Sequence, residues 1–238
     1  METILPSGIL IFLITLLRYL FIAGLAFFIF YYAFKNSFQK IQARFPKVTD
    51  YQREIGYSVL SCVIFGVVGY IAYQTPFYQF SLAYSHIHDY PIWYFWVSIL
   101  LMILLHDAYF YWTHRLIHHK LLFKYFHALH HKSHNPSPWA AFAFDPLEAV
   151  INGCFQFVMM MVIPAHFNAV AIFYLISMIV NVYGHLGYEI YPQWFLKHRL
   201  GKWLNTSTAH NYHHHFGKGN YGFYFTFWDK WMGTERTE

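Results

Sequence analysis

Three short runs concentrate imidazole side chains: HRLIH at 114–118, HALHH at 127–131 and HNYHH at 210–214. Residues three or four apart on a helix are neighbours, with Cβ atoms about 5–6 Å apart. His114 and His118 can therefore reach one metal ion. His127, His130 and His131 share one helical face, and so do His210, His213 and His214. Eight imidazoles exceed the needs of one four-coordinate ion, which points to two metals. Imidazole suits iron, zinc, copper and nickel. Cys62 and Cys154 lie in apolar runs without CxxC spacing, so they read as buried free thiols rather than ligands. A two-metal centre with nitrogen ligands and open positions can activate dioxygen. His106, two turns before His114, and His134, seven residues after His127, are further candidates. His86, His88, His119, His166, His198 and His215 lie off these faces or far from them and read as ordinary interfacial or surface residues.

The elements that must carry these boxes are apolar. Charged residues make up 11% of the 238 residues and the apolar fraction is 57%, whereas a soluble domain carries about 25% charged residues. Aromatic residues, at 23%, suit interfacial belts. Apolar segments fall at about 8–34, 56–73 and 92–112, with a closely spaced pair at 147–163 and 168–184. Each arm of the pair is short for a full span of about 20 residues, so four or five membrane helices are expected. The run from Gly8 is too long for the apolar region of a signal peptide and no basic stretch precedes it; it is expected to be a retained first helix.

Charge placement sets an expected orientation. Of 16 Lys and Arg, only Arg18 precedes residue 35. The 35–53 loop, the 113–134 stretch and the 197–236 tail hold the rest, and the 74–91 loop holds none. The positive-inside rule then puts the basic segments, and the histidine boxes with them, in the cytosol. The formal charge of +5 is accounted for by this topology, and no nucleic-acid partner is expected. The expected architecture is all-α: one domain over 1–238, with a four-helix-type membrane bundle, including a short helical hairpin, from about 1–112 and 147–184. A histidine-rich cytosolic cap from about 113–146 and 185–238 completes it.

These boxes and their flanks resemble the fatty acid hydroxylase superfamily, which includes sterol desaturases and C4-methyl sterol oxidases. The resemblance covers about 100–235. It includes the DAYFYWTHR segment that starts at Asp107, DPLE at 145–148, GHLGYE at 184–189, and the tail from NYG at 220 through WDK to GT at 233–234. It implies a membrane stalk capped by a di-iron centre that takes dioxygen as co-substrate, with zinc able to occupy the sites in prepared protein. By matching position, the implied metal ligands are His114, His118, His127, His130, His131, His185, His210, His213 and His214. Some members carry a tenth histidine near His185; Asn181 and Glu189 stand four residues either side of it here. Each ligand's second ring nitrogen needs an acceptor, and Asp107, Asp145, Glu148, Asn181 and Glu189 are the candidates. Glu189 is also a candidate ligand. Asp107 lies off the face of the first box and reads as a supporting residue, the alternative being a salt bridge with Arg115.

The implied activity is hydroxylation of a lipid C–H bond, the lipid being a sterol, a fatty acyl chain or a related molecule. Desaturation at the same centre is the alternative, and a membrane metal transporter or sensor a remote one. No flavin, haem or iron–sulfur motif is present, so electrons are expected from an external ferredoxin or a cytochrome b5-type donor with its reductase. The expected location is a multi-pass position in the bacterial inner membrane or the endoplasmic reticulum.

Overall fold

A computed structural model describes residues 5–236; residues 1–4 and 237–238 of the domain expected over 1–238 lie outside it. Five long apolar helices form the body. Helix α1 (Gly8–Phe27) starts at Ser7, whose hydroxyl accepts the Leu10 N–H at 3.2 Å, and continues through a π-helical turn at Phe28–Ala33. Helix α2 (Val48–Gln74) starts eight residues before the expected apolar run, because Asp50, Arg53 and Glu54 extend it beyond the apolar stretch into the cap. Helix α3 (Ile92–Ile117) carries His114 on its last turn. After the short α4 (Lys120–Phe126) come α5 (Pro146–Val162) and α6 (Phe167–Gly184), which form the expected hairpin.

Among the described residues, four stretches, Gly8–Ala33, Val48–Gln74, Ile92–Ile117 and Phe167–Gly184, are long and apolar enough to cross a membrane. With 17 residues, α5 is about 25 Å long, short of a hydrocarbon core of about 30 Å. Proline explains its start, since Pro146 occupies the first turn, where a missing N–H costs nothing. The hairpin turn and the 75–91 loop meet at the same end of the bundle, where the Leu82 N–H donates to Met160 O and the Tyr84 N–H to Ala165 O. The histidine boxes sit at the opposite end.

Two buried clusters hold the bundle together. One joins Ala72, Met102, Phe155, Met159 and Phe173 across α2, α3, α5 and α6. The other, nearer the cap, joins Tyr19, Ala23, Cys62, Ala141 and Met178. Helices α1 and α2 approach closely at glycines: a Cβ on Gly66 would lie 2.9 Å from Gly8 O and 2.9 Å from Phe12 Cβ. Small residues permit such contacts where water does not drive helix association. Gly66→Val is expected to destabilise the protein by about 1–3 kcal/mol. Gly56→Ala, on the same helix with nothing within 4 Å of its added Cβ, should be neutral or slightly stabilising. Thermal unfolding in detergent compares the two; equal midpoints would refute the close-packing account.

The cap contains α7 (Gln193–Lys197), α8 (Ser207–Phe216) and α9 (Phe227–Trp231). It is tied to the bundle by a two-stranded antiparallel pair, β1 (Gln39–Lys40) with β2 (Tyr188–Glu189), in the register Gln39↔Glu189 and Lys40↔Tyr188. Gln42 then bridges two histidine-bearing segments, its Nε2 donating to Pro136 O at 2.8 Å and to Asn211 Oδ1 at 2.9 Å.

Candidate metal centre

Local structure explains how each box is presented. The first box ends α3, with His114 inside the helix and His118 as its C-terminal cap. The third box lies within α8, whose start is capped by the Thr206 hydroxyl accepting the Ala209 N–H at 3.1 Å. Gly217 ends α8 in the left-handed region at φ 65°, a conformation that favours glycine. The second box departs from its expected helical face. Helix α4 stops at Phe126, His127 leaves helical geometry at φ −148°, and His130–Lys132 form a single 3-10 turn. A tertiary contact accounts for the break: Asp145 Oδ2, at the start of α5, accepts the Leu129 N–H at 2.9 Å.

The nine histidines expected as ligands converge into two groups. His114, His118, His127, His131 and His213 form one; His130, His185, His210 and His214 form the other; within each group the candidate ligand atoms lie within 4.8 Å of one another. The boxes do not map one to one onto the groups. His130 groups with His185, His210 and His214 rather than with His127 and His131, and His213 groups with the first set rather than with His210 and His214, so the second and third boxes each serve both.

Nitrogen contacts within the groups are short. His114 Nε2 lies 3.0 Å from His127 Nε2, and His213 Nε2 lies 3.1 Å from His131 Nε2 and 3.2 Å from His118 Nε2. In the second group, His185 Nε2 lies 3.3 Å from His130 Nε2, 3.1 Å from His210 Nε2 and 3.3 Å from His214 Nε2. With metal–nitrogen bonds of about 2.0–2.1 Å, two ligand nitrogens on one ion are separated by about 3 Å.

Proton placement strengthens this match. A backbone carbonyl only accepts, so a ring nitrogen bonded to it carries the proton. His114 Nδ1 donates to Tyr221 O at 3.0 Å, His130 Nδ1 to Ala143 O at 3.2 Å, His185 Nδ1 to Asn181 O at 2.8 Å and His213 Nδ1 to Gly219 O at 2.7 Å. In the neutral imidazole the Nε2 of each is then a bare lone pair aimed into its group. Burial favours that neutral form, taking His185 and His213 down to about 4. Burial, then the neighbouring His213, takes His118 down to about 2. The bare lone pairs of His130 and His185 face each other at 3.3 Å, a repulsive contact that a cation between them converts into shared coordination. The donor set therefore fits two metal ions.

The supporting residues differ from the candidates in part. Glu148 Oε2 lies 2.8 Å from His127 Nδ1, both side chains being buried, in a close electrostatic contact that falls short of a linear hydrogen bond. Asn181 serves His185 through its backbone carbonyl, while its side chain donates to Ala141 O at 2.6 Å. Glu189 is in neither group. Its Oε1 accepts from the Tyr183 hydroxyl at 2.7 Å and its Oε2 from the Thr208 hydroxyl at 2.7 Å, so it secures the first turn of α8 instead of binding metal. Asp107 touches none of the nine histidines. Its Oδ1 accepts the N–H groups of Tyr224 and Phe225 at 2.7 and 3.2 Å, and Arg115 donates instead to the Tyr111 hydroxyl at 3.1 Å. His106 bonds the Tyr224 hydroxyl at 2.9 Å among Phe155, Phe173 and Phe223. His134 is exposed. Both stand outside the two groups.

Sequence reasoning did not anticipate the tail's part. The carbonyls of Gly219 and Tyr221 orient His213 and His114. Asp229 holds that loop by accepting the N–H groups of Tyr221 and Gly222 at 2.9 and 2.8 Å and the Thr234 hydroxyl at 2.7 Å. Only the NYG, WDK and GT flanks hinted that this segment belongs with the boxes.

Comparison with known proteins gives the family of the chain. The chain is 32% identical over 156 residues to a Delta(7)-sterol 5(6)-desaturase of Gibberella zeae, covering 66% of this chain and 47% of that one. It is 28% identical over 218 residues to the lathosterol oxidase of Homo sapiens, covering 91% and 70%. With methylsterol monooxygenase 1 of Rattus norvegicus it shares 29% identity over 166 residues, covering 68% and 54%. The chain thus spans about half the length of the fungal and rat relatives. No solved structure matches it. The fatty acid hydroxylase family model matches residues 99–234, the stretch that holds all nine clustered histidines and the tail that orients them, and the chain belongs to that family.

Proposed function

We propose that this chain is a membrane-bound, di-iron, dioxygen-dependent oxidoreductase that hydroxylates a C–H bond of a lipid. The observation that carries the reading is the convergence of nine imidazoles into two adjoining groups at one end of an apolar bundle, with Nδ1 of four of them tied to carbonyls. When bound there, two iron ions supply dioxygen reduction coupled to C–H oxidation. The protein's part is positioning: carbonyls and Glu148 orient the rings, and burial keeps them neutral and excludes water. Hydroxylation consumes one dioxygen, two electrons and two protons, and yields the alcohol and one water.

The two electrons come from a separate donor, a ferredoxin or a cytochrome b5-type protein with its reductase. Lys218 and Arg236, with Glu235, line a pocket on the cap beside Gly219 and Tyr221, and its net basic lining suits an acidic donor. The basic residues gathered near the boxes favour a cytosolic cap, in the endoplasmic reticulum or a bacterial inner membrane.

Desaturation is the second reading, favoured by relatives that are named sterol desaturases. It consumes the same dioxygen, electrons and protons but releases two waters and leaves a double bond. Iron-loaded protein supplied with donor, isotopically labelled dioxygen and membrane lipids separates the two. Gain of one labelled oxygen is expected, and loss of two hydrogens would establish desaturation. Retention of full activity by His130→Ala would refute both.

A further inference from the structure

One ionic side chain in the membrane body has no role in the metal centre. Arg18 lies on the third turn of α1, about 15 Å along a span that runs for about 39 Å. A charged group at that depth is costly and marks function by default. Among the described residues no ion pair involves it, and its Nε–H is buried without a partner. Its one contact of note is the Tyr174 ring, 5.6 Å from Cζ. The Tyr174 hydroxyl is already committed to Gln156.

Arg18 lines a groove of about 670 Å³ between α1 and α6 whose other walls are apolar, among them Phe21, Leu25, Ile29, Ile179 and Val182. Along α1 it extends from Leu17 to Phe30, about 20 Å, and its far end includes the π-helical turn. Such turns recur at functional sites. At that end it reaches Leu186, the residue after His185. One end of the groove thus carries an unpaired guanidinium, and the other ends beside the segment that carries His185.

We propose that this groove seats the lipid substrate and that Arg18 binds a terminal carboxylate, making the occupant a long-chain fatty acid. The inference rests on the lipid-oxidising function proposed above and names its substrate class. Depth separates this occupant from a bulk phospholipid, whose headgroup lies outside the hydrocarbon core. Charge separates it from a hydroxylated ring lipid, which leaves the guanidinium uncompensated. With the carboxylate at Arg18, the chain's methyl end lies toward His185, so oxidation falls far from the carboxylate.

Binding tests this without turnover. Full-length protein in phosphatidylcholine nanodiscs is titrated with radiolabelled palmitate, methyl palmitate and cholesterol at mildly alkaline pH, where the acid is ionised and the guanidinium remains charged. Palmitate is expected to bind about tenfold or more tightly than its methyl ester, as a charge-assisted hydrogen bond provides. Arg18→Leu should erase that difference and Arg18→Lys should keep most of it. Ile179→Trp, at a position 50% exposed, should fill the groove and weaken both ligands. Equal binding of acid and ester by the unmodified protein would overturn the proposal, as would cholesterol binding more tightly than palmitate. Absence of turnover on any lipid, with this binding pattern intact, would count against the oxidase reading and not against the groove's selectivity for a carboxylate.

Discussion

His213→Ala is expected to empty the metal site built from His114, His118, His127 and His131 and to abolish lipid oxidation. His213 Nε2 is within 3.2 Å of two other Nε2 atoms of that group, so its loss removes a shared vertex rather than a peripheral ligand. Loss of a supporting residue alone costs about 10–100-fold in metal affinity, and loss of a ligand should exceed the upper end of that range. Metal analysis of the purified protein should give two ions per chain for the unmodified form and one for His213→Ala. His185→Ala should lose the other ion. His215→Ala, an exposed neighbour on α8, should keep both, and two ions retained by His213→Ala would refute the assignment. Acidity should act in the same direction as ligand loss. Burial holds His185 and His213 near 4, below the unfolded value of about 6.5, so between those values the unfolded chain binds more protons. The stability that these two residues contribute to the metal-free protein is therefore present above about pH 6.5 and lost as pH falls toward 4.

Glu148→Ala should weaken one metal site selectively, by about 10–100-fold. Glu148 Oε2 lies 2.8 Å from His127 Nδ1, and His127 belongs to the group that includes His114 and His213. Without the carboxylate, the buried Nδ1 of His127 loses the close electrostatic contact that orients its ring. His130, three residues on, draws its support from Ala143 O, so the second site should keep its affinity. Glu148→Gln preserves size and one acceptor oxygen and should fall between the two. Competition with a chelator of known affinity, read separately for the two sites, measures the effect. Equal loss at both sites would point to general disruption of the cap, and no loss at either would remove Glu148 from the centre.

Much of this was legible in the chain itself because it depends on local spacing. The HRLIH spacing puts His114 and His118 on one helical face wherever that helix packs. The apolar runs locate the long helices, although α2 and α3 extend beyond them, and the distribution of Lys and Arg separates the 35–53 and 113–134 segments from the 74–91 loop. The hairpin of α5 and α6 was visible in two apolar arms divided by Pro164. These properties arise within a few residues of each other, so tertiary context changes them little.

Other features needed partners distant in the chain. The second box lost its helical face through a contact between Leu129 and Asp145, 16 residues apart. Its division between the two groups depends on how α8, packed against α6, brings its imidazoles to those of the first box and the 127–131 turn. Asp107 and Glu189 each had the chemistry of a metal-supporting carboxylate, yet their oxygens are taken by Tyr224 and Phe225 in one case and by Tyr183 and Thr208 in the other. Arg18 was readable as a charge within an apolar span, but the groove beside it exists only where α1 meets α6. The sequence by itself determined that the eight box histidines of a membrane chain belong together, and the family resemblance added His185. Which imidazoles share a site was decided only by tertiary packing, because helical periodicity determines the face a side chain occupies while long-range contacts determine which faces meet.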